Sequence, residues 1–397
     1  MKDLLKIFFF LFIFTISWTN AFSLSQWLTI PNLFIVLSSV VFLFLILFYD
    51  YKIKKLDNED YILILIFLSQ LILSSFNITS KFFNYSLAFF YSFFIIYYLN
   101  KIISISFFRY DDLLKYNFYA VLFISIFGLS EFFLNYSFNF SIQSYIPRSS
   151  IASADYNLID RVIFRTYVFS EEPTYLAWYL NTLGLISFLY LKKIKNVFKR
   201  LLLFLPVIVT YISTFSAAGF ILIISSFLIY NIFYFRIKLI FGILLSIFFT
   251  LFFVSYYIDL EILQELVNPL TNKITFQQLE DGDRLPEWTK AWYLLLNKPI
   301  IGHGLGYYSS LGQYTPMNFF LYISVESGLF ITLLIIVFYI TKFLKLIKLN
   351  SKEKPYFIIA LISGIGHLFT QSLFYHPNLW FLIILIDLKI KELRVND

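Results

Sequence analysis

Long runs of apolar residues recur along the whole chain and limit its fold more than any other feature. Runs of about 18 or more apolar residues are typical of helices that cross a bilayer. Only 14% of the residues are charged, against about a quarter in soluble domains. We therefore predict an all-α polytopic membrane protein, with residues 1–397 forming a single integral membrane domain. The twelve candidate spans are approximately 7–18, 32–49, 61–77, 82–100, 117–135, 172–191, 201–215, 218–235, 239–257, 318–340, 355–373 and 376–390.

The first apolar run has two interpretations. It follows a short basic start, so it could be a signal peptide with Ala21 near a cleavage site. It could also be a retained first helix. The retained helix gives the better topology for the rest of the chain.

The distribution of lysine and arginine predicts which side of the membrane each loop faces. Cytoplasmic loops of membrane proteins carry an excess of these residues. With the N-terminus in the cytoplasm and alternating sides, 23 of the 31 basic residues fall in cytoplasmic segments. The sequence therefore predicts that both termini are cytoplasmic.

Seven of the eight remaining basic residues lie in two external segments, 136–171 and the large loop 258–317. Long loops can escape the charge rule and hold ordinary surface charges. The other interpretation is that these bases handle an anionic ligand at the outer face of the membrane.

Composition argues against several other kinds of function. The net charge of +7 is explained by topology, so it does not indicate nucleic-acid binding. The chain has no cysteine, which excludes disulfides and thiolate metal sites. Three scattered histidines do not indicate a metal centre, and we predict no metal and no cofactor.

The end of the first external segment carries a candidate phosphate-binding motif. Arg161 and Arg165 are four residues apart and would share one face of a helix. Guanidinium groups match phosphate oxygens in a bidentate way. Glu171, Glu172 and Pro173 follow, and acids are favourable at a helix N-terminus. The motif is either an ordinary helix start or an arginine pair beside a carboxylate base.

The large loop contains a predicted short helix and a glycine-rich turn. A short helix with Asp283 as its N-cap, running to about Asn297, would place Arg284, Trp288, Ala291 and Leu295 on one face, as in helices at the membrane interface. The turn from Gly302 to Gly306 follows, with His303 and Gly304 inside it. Its glycines allow a close approach of the backbone to a partner that the sequence does not identify.

A few polar residues lie inside or beside the predicted spans. Glu326 is a functional candidate because a charge inside a membrane is costly, although it could pair with Ser324 or Ser327. Three charged residues lie near helix ends and are expected to reach the membrane interface, namely Asp50, Glu131 and Asp387. A polar face near the outer side is predicted from His367, Gln371 and His376.

These residues together resemble the superfamily of O-antigen polymerases and O-antigen ligases of the bacterial envelope. The resemblance covers the predicted topology and the order of several positions. These positions are Phe169, Glu172, Pro173, Thr174 and Ala177, then Arg284, Trp288, Ala291, Pro299, Gly302, Gly304, Gly306 and the pattern Asn318-x9-Gly328. Ligases of this superfamily have histidine where this chain has Met317, which favours a polymerase. Two further patterns of the group are absent, namely Arg-x10-Gly and a Ser-Arg pair where this chain has Ser216 and Ala217.

The resemblance implies glycosyl transfer at the periplasmic face of the inner (plasma) membrane without a metal. The substrate would be a lipid-linked oligosaccharide on an undecaprenyl diphosphate carrier, and a flippase and a chain-length regulator would be partners. Arginines would stabilise the departing diphosphate, and a base would activate the acceptor hydroxyl. This assigns the diphosphate to Arg284 and Arg165 with support from Arg161, and the base to Glu172. The remaining substrate-binding candidates are Trp288, Gly302, His303, Gly304, Asn318, His367 and His376, with the histidines as weaker bases.

Two other functions remain open from the sequence. An O-antigen ligase would move finished glycan to lipid A-core on the same fold. A transporter or flippase also fits twelve helices, but the large external loop and the lack of a visible inverted repeat argue against it.

Overall fold

The structure is a computed structural model that describes residues 1–23, 29–49, 57, 59–148, 164–234, 284–312, 315–372 and 376–396. Within these ranges, helices form at eleven of the twelve predicted spans, and the span 239–257 lies outside them. The pairing of Ala21 with Arg148 is an isolated bridge, and the same ranges contain no strand. The predicted all-α class is confirmed.

The described helices follow the predicted order closely. Two of them contain a wider π-helical stretch, Tyr91–Leu99 in α4 and Leu180–Gly184 in α6. In chain order the helices are α1 (Lys2–Thr15), α2 (Ile30–Tyr49), α3 (Asp60–Ser75), α4 (Phe82–Phe107), α5 (Tyr110–Phe138), α6 (173–191), α7 (Val197–Ser213), α8 (Ala217–Phe233), α9 (Arg284–Asn297), α10 (Tyr307–Ser310), α11 (Phe319–Ile347), α12 (Lys354–His367) and α13 (Pro377–Asn396).

Four of the described helices are long and apolar enough to cross a membrane by length and composition, namely α2, α4, α5 and α11. Helices α3 and α8 are apolar but shorter. Helix α1 packs inside the bundle, where Phe9 stacks on Phe108 and Phe12 meets Phe381 edge-on. The protein is therefore membrane-embedded, while the number of crossings and the side that each loop faces stay predictions.

Four helices, α3, α4, α11 and α13, meet around a buried network of ion pairs. Lys101 Nζ lies 2.7 Å from both Asp60 Oδ2 and Asp387 Oδ2, and Lys342 Nζ lies 2.8 Å from Asp387 Oδ2. The Tyr97 hydroxyl donates to Asp60 Oδ1 over 2.7 Å. All five side chains are buried. Two positive and two negative charges balance at the centre, as a buried cluster requires.

This network corrects part of the expectation for acids near helix ends. Asp387 is only 6% exposed and lies between two lysines, and Glu131 is 1% exposed. The Glu131 carboxylate accepts the backbone N–H of Val168 over 3.0 Å. Both acids are buried among partners, so the prediction that they reach the interface is wrong, and Asp50 lies outside the described residues.

Helix α11 reverses its direction at Gly328, whose φ of 80° and ψ of 168° are not helical. The hydroxyl oxygens of Ser324 and Thr332 lie 2.9 Å apart, whereas eight residues of straight helix span about 12 Å. Phe319 and Phe338 also line one apolar cavity. The first part of α11 therefore folds back along the second part. The second part, 329–347, still spans about 28 Å, close to the thickness of a bilayer core.

Candidate active site

The segment 164–172, which leads into α6, is held against the bundle by buried polar groups. Arg148 donates to the carbonyl oxygen of Ser170 over 2.5 Å and to that of Val168 over 2.8 Å. Glu131 accepts the N–H of Val168 from the other direction. Arg148 is one of the basic residues of the predicted external segments. Its side chain holds the backbone at Val168 and Ser170.

The two acids before α6 have different surroundings. Glu172 is the N-cap residue of α6, and its Oε1 accepts a hydrogen bond of 2.8 Å from Gln371 Nε2. Glu171 donates its backbone N–H to Thr19 Oγ1 over 2.7 Å. Burial, and then the charge of Glu172, raises the pKa of the Glu171 carboxyl to about 7, against the opposing charge of Arg148. A half-buried carboxyl of this pKa also suits acid–base chemistry.

Two predicted histidines pack around Trp178, near the start of α6. The Trp178 ring centroid lies 5.8 Å from that of His367 and 6.0 Å from that of His376. The His376 ring also lies 4.6 Å from that of Tyr175. Both histidines are buried. The structure thus brings His367 and His376 to the end of α6 that begins at Glu172.

The tautomer of His367 follows from its neighbour Asn181. Asn181 Nδ2 donates to the carbonyl oxygen of Gly219 over 2.9 Å and lies 3.2 Å from His367 Nε2. An amide nitrogen can only donate, so His367 Nε2 accepts and the ring proton is assigned to Nδ1. That Nδ1 has no hydrogen-bond partner among the described residues. His367 is therefore suited to donate a hydrogen bond rather than to act as a base.

Arg165 lies near the connection between α7 and α8. Its Nε donates to the carbonyl oxygen of Thr214 over 3.1 Å. Helix α8 starts close to α6, because a Cβ added at Gly219 would lie 2.7 Å from the Cβ of Ala177. Arg165 and Glu172 therefore lie at the same end of the packed helices α6, α7 and α8.

The structure describes less of the other two predicted arginines. Arg161 lies outside the described residues, and of Arg284 only the backbone, at the start of α9, is described. The bounds of α9 agree with the predicted short helix. Its predicted face is partly confirmed, because Ala291 and Leu295 are buried and Trp288 is half-buried.

The glycine-rich turn packs against protein backbone. A Cβ added at Gly304, where φ is 95°, would lie 1.9 Å from the carbonyl oxygen of Asn77. A Cβ at Gly302, where φ is 73°, would lie 2.6 Å from the carbonyl oxygen of Glu326. The close approach that the sequence predicted is therefore made to α11 and to the connection between α3 and α4. Substrate contact by Gly302 and Gly304 stays a prediction.

We expect Gly304→Ala to displace the turn and lower the thermal stability of the purified protein. Its methyl group would overlap the Asn77 carbonyl, and its φ is unfavourable for L-residues. Gly312→Ala is the matched control, because Gly312 also has positive φ, 64°, but a Cβ there meets nothing within 4 Å. Equal melting temperatures for the two variants would contradict the packing of the turn.

His303 and Asn318 both have protein partners. His303 Nε2 lies 2.8 Å from the carbonyl oxygen of Leu294, and its ring centroid lies 4.5 Å from that of Tyr307. Asn318 caps α11, because its Oδ1 accepts the N–H of Leu321 over 3.1 Å. These contacts position the two residues but leave their predicted role in substrate binding untested.

The start of α11 lies beside the end of α12. The Phe319 N–H donates to the carbonyl oxygen of Leu368 over 2.8 Å, and the hydroxyl oxygens of Thr315 and Ser372 lie 3.1 Å apart. Gln371, which binds Glu172, lies between these two contacts in the sequence. The large loop thus ends next to the cluster at the start of α6.

Residues 201–336 match a family model described as O-Antigen ligase. This match is consistent with the O-antigen polymerase and ligase superfamily. The predicted resemblance is therefore confirmed, and the superfamily suggests polymerase or ligase activity on lipid-linked oligosaccharides. No curated protein matches the chain.

The superfamily match includes only part of the site. Inside it lie the predicted site residues of the large loop and of α11, namely Arg284, Trp288, Gly302, His303, Gly304 and Asn318. Outside it lie the other predicted site residues, namely Arg161, Arg165, Glu172, His367 and His376. Sequence reasoning did not single out Asn181 or Trp178, because nothing in the chain marks which buried polar residues of an apolar helix meet a histidine.

A group of carboxylates that could hold a metal ion lies elsewhere in the described part of the chain. Carboxylate oxygens of Asp57, Glu59 and Asp387 lie close enough together to hold an ion. Lys101 Nζ already lies 2.9 Å from Asp57 Oδ2 and 2.7 Å from Asp387 Oδ2. The ammonium group occupies the position where a cation would bind, so we assign these acids to the ion-pair network.

Proposed function

We propose that the protein is a polysaccharide polymerase of the O-antigen type, acting at the periplasmic face of the inner membrane. It transfers the growing glycan from undecaprenyl diphosphate to the non-reducing end of another lipid-linked repeat unit. The observation that carries the proposal is the cluster of Glu172, Gln371 and two histidines at the start of α6, beside Arg165, in a member of this superfamily.

The proposed reaction needs one base and a stabilised leaving group. Glu172 accepts the proton of the acceptor sugar hydroxyl while the hydroxyl oxygen bonds to the anomeric carbon of the donor. The bond between that carbon and the diphosphate breaks, and its electron pair stays on the diphosphate oxygen. Arg165 and Arg284 stabilise the added charge, with Arg161 in support. His367 is a further candidate for substrate contact; its ring is fully buried in this structure, and its Nδ1–H has no hydrogen-bond partner among the described residues.

Two further features support a reaction on a lipid-linked substrate. The half-buried side chains of Arg165 and Glu172 leave part of each group accessible from outside the bundle. The long apolar helices suit a protein embedded in a membrane, where a carrier with a long apolar chain would reside. A flippase that delivers the repeat units and a chain-length regulator are the proposed partners.

Met317 favours the polymerase over the ligase. Ligases of the superfamily have histidine at this position, directly before the residue that caps α11 here. The ligase is the second candidate, because the matching family model is described as O-Antigen ligase. In the ligase reaction the acceptor would be lipid A-core.

A deletion strain distinguishes the two candidates. Loss of a polymerase leaves single repeat units, which a gel of the cell-surface glycan shows as the absence of a ladder. Loss of a ligase leaves long chains on the carrier lipid. An unchanged ladder would reject both functions.

We expect Arg165→Ala and Arg284→Ala to lower the rate of polymerisation by about 100-fold or more, as removal of a group that stabilises transition-state charge does. Lysine at the same positions should restore little activity, because it lacks the planar pair of donors. The measurement is complementation of the deletion strain at matched expression. Lys290→Ala, which changes an exposed base on α9, is the control and should support a normal ladder.

A further inference from the structure

The reversal in α11 leaves backbone N–H and carbonyl groups without partners inside the helix. Residues of the large loop form hydrogen bonds with these groups. In an unbroken helix the N–H of Leu329 would donate to the carbonyl oxygen of Val325. Here Leu329 donates to the carbonyl oxygen of Pro299 over 2.8 Å, and Val325 accepts from the N–H of His303 over 2.8 Å. Residues 299–303 thus replace the missing hydrogen bonds, which buried backbone requires.

Glu326 binds backbone N–H groups at three positions of residues 304–308. Its backbone carbonyl oxygen accepts the N–H of Gly304 over 2.9 Å. Its carboxylate accepts the N–H of Gly306 over 3.0 Å and that of Tyr308 over 3.3 Å. The side chain is completely buried. Hydrogen bonds from backbone N–H groups to a carboxylate are among the stronger ones in proteins.

The opposite side of the turn is held by the connection between α3 and α4. Asn77 Nδ2 donates to the carbonyl oxygen of Gly302 over 3.1 Å, and Asn77 Oδ1 accepts from Lys298 Nζ over 2.7 Å. The Thr79 hydroxyl donates to the carbonyl oxygen of Leu305. Residues 299–308, which we call the clamped segment, therefore lie between two parts of the helical bundle.

The clamped segment also determines where α9 lies. Helix α9 is joined to it directly through Lys298, and His303 Nε2 lies 2.8 Å from the carbonyl oxygen of Leu294. The buried face of α9, with Ala291 and Leu295, packs on α11. A shift of the clamped segment would therefore change the position of the whole helix.

We propose that Glu326 is a positioning residue for glycan transfer. It holds the clamped segment on the reversal of α11 and so sets the position of α9, which begins at Arg284, relative to the cluster at the start of α6. The functional half of this inference rests on the proposed function.

The first test measures access to the clamped segment and needs no activity. The chain has no cysteine, so single cysteines can be placed in the full-length protein and labelled from outside with a membrane-impermeant maleimide. Leu305→Cys probes a buried position of the segment, and Leu311→Cys probes an exposed position close by. We expect Glu326→Leu to raise labelling at position 305 by about 10-fold or more, as loss of hydrogen bonds to a charged group implies, with no change at 311.

A control separates local release from general unfolding. Val168→Cys is buried in the segment before α6 and has no contact with the clamped segment among the described hydrogen bonds. Labelling at 168 should stay low in the Glu326→Leu background. If 305 stays protected, or if 168 is labelled as strongly as 305, the clamp is rejected. Glu326→Gln keeps one acceptor oxygen and should give an intermediate rate at 305, so a Gln variant equal to wild type also rejects it.

The second test asks whether Glu326 acts through α9. The substrate is the lipid-linked repeat unit isolated from the deletion strain, and initial rates are measured in membranes with matched amounts of folded enzyme. We expect Glu326→Gln to lower the rate about 10-fold alone but at most about twofold in an Arg284→Ala background, because residues that act together are not additive. Equal losses in both backgrounds would reject the positioning role. The deletion phenotype tests the proposed function separately.

Discussion

Replacing Lys101 by methionine is expected to remove most of the folded protein from the membrane. The substitution leaves Asp60 and Asp387 sharing a single buried lysine, Lys342, so one negative charge is uncompensated. Breaking a buried ion pair from one side costs about 3–5 kcal/mol, a large fraction of the stability of most proteins. The measurement is the yield of monodisperse protein in detergent, together with its melting temperature.

Two control variants distinguish the effect of an unbalanced buried charge from the effect of losing any lysine. Lys101→Met combined with Asp60→Asn restores equal numbers of buried charges and should recover part of the lost yield. Lys193→Met removes one partner of the exposed pair with Asp111, and such pairs contribute about 0–1 kcal/mol. Similar losses for Lys101→Met and Lys193→Met would show that the buried network does not hold these helices together.

Glu172→Gln is expected to reduce polymerisation by a factor of about 100 to 10,000, the usual contribution of a general base. Glutamine keeps an oxygen that can accept the hydrogen bond from Gln371, so the fold should survive. The measurement is the length distribution of glycan in the complemented deletion strain, with the amount of protein in the membrane measured in parallel.

Glu171→Gln is the matched comparison and should cost less than about 10-fold if Glu172 is the base. If Glu171 is the base instead, the dependence of activity on pH will show it. Because the raised pKa of Glu171 is about 7, its carboxyl becomes protonated as the pH falls through 7 and can no longer accept a proton. Activity that falls over this range, together with a large loss in Glu171→Gln, would transfer the role of base from Glu172 to Glu171.

The helical architecture could be predicted from the sequence because it depends on local patterns. Apolar runs located eleven of the thirteen described helices, and α9 has the predicted bounds because caps and spacing are local signals. The position of Glu172 directly before α6 was equally visible, since Pro173 marks the first helical turn.

The contacts between distant segments could not be predicted in this way. The glycines of the Gly302–Gly306 turn indicated that another part of the protein or a ligand packs closely against this backbone, but not which one. Its partners are Asn77, which is distant in the sequence, and Glu326, which lies inside an apolar run. The reversal at Gly328 is hidden in the same run, because a single glycine is compatible with a straight helix.

The burial of two basic residues could not be predicted from the charge count. Lys101 and Lys342 fit the count of cytoplasmic bases, yet both are fully buried among acids. A charge count depends only on composition along the chain, whereas burial depends on which helices meet. The contact between these four helices is a property of the tertiary structure, and no local pattern in the sequence indicates it.

The reversal of α11 gives a physical meaning to the spacing Asn318-x9-Gly328. Asn318 caps one end of a short helix and Gly328 ends it, so the spacing is a length of about 15 Å. That length sets how far the N-terminal end of the helix reaches into the bundle, where Phe319 meets Leu368. An insertion of one residue would turn this end by about 100° and shift it by about 1.5 Å, so the hydrogen bond from Phe319 to Leu368 would be lost. The spacing therefore determines where the end of the large loop meets α12, next to the cluster at the start of α6.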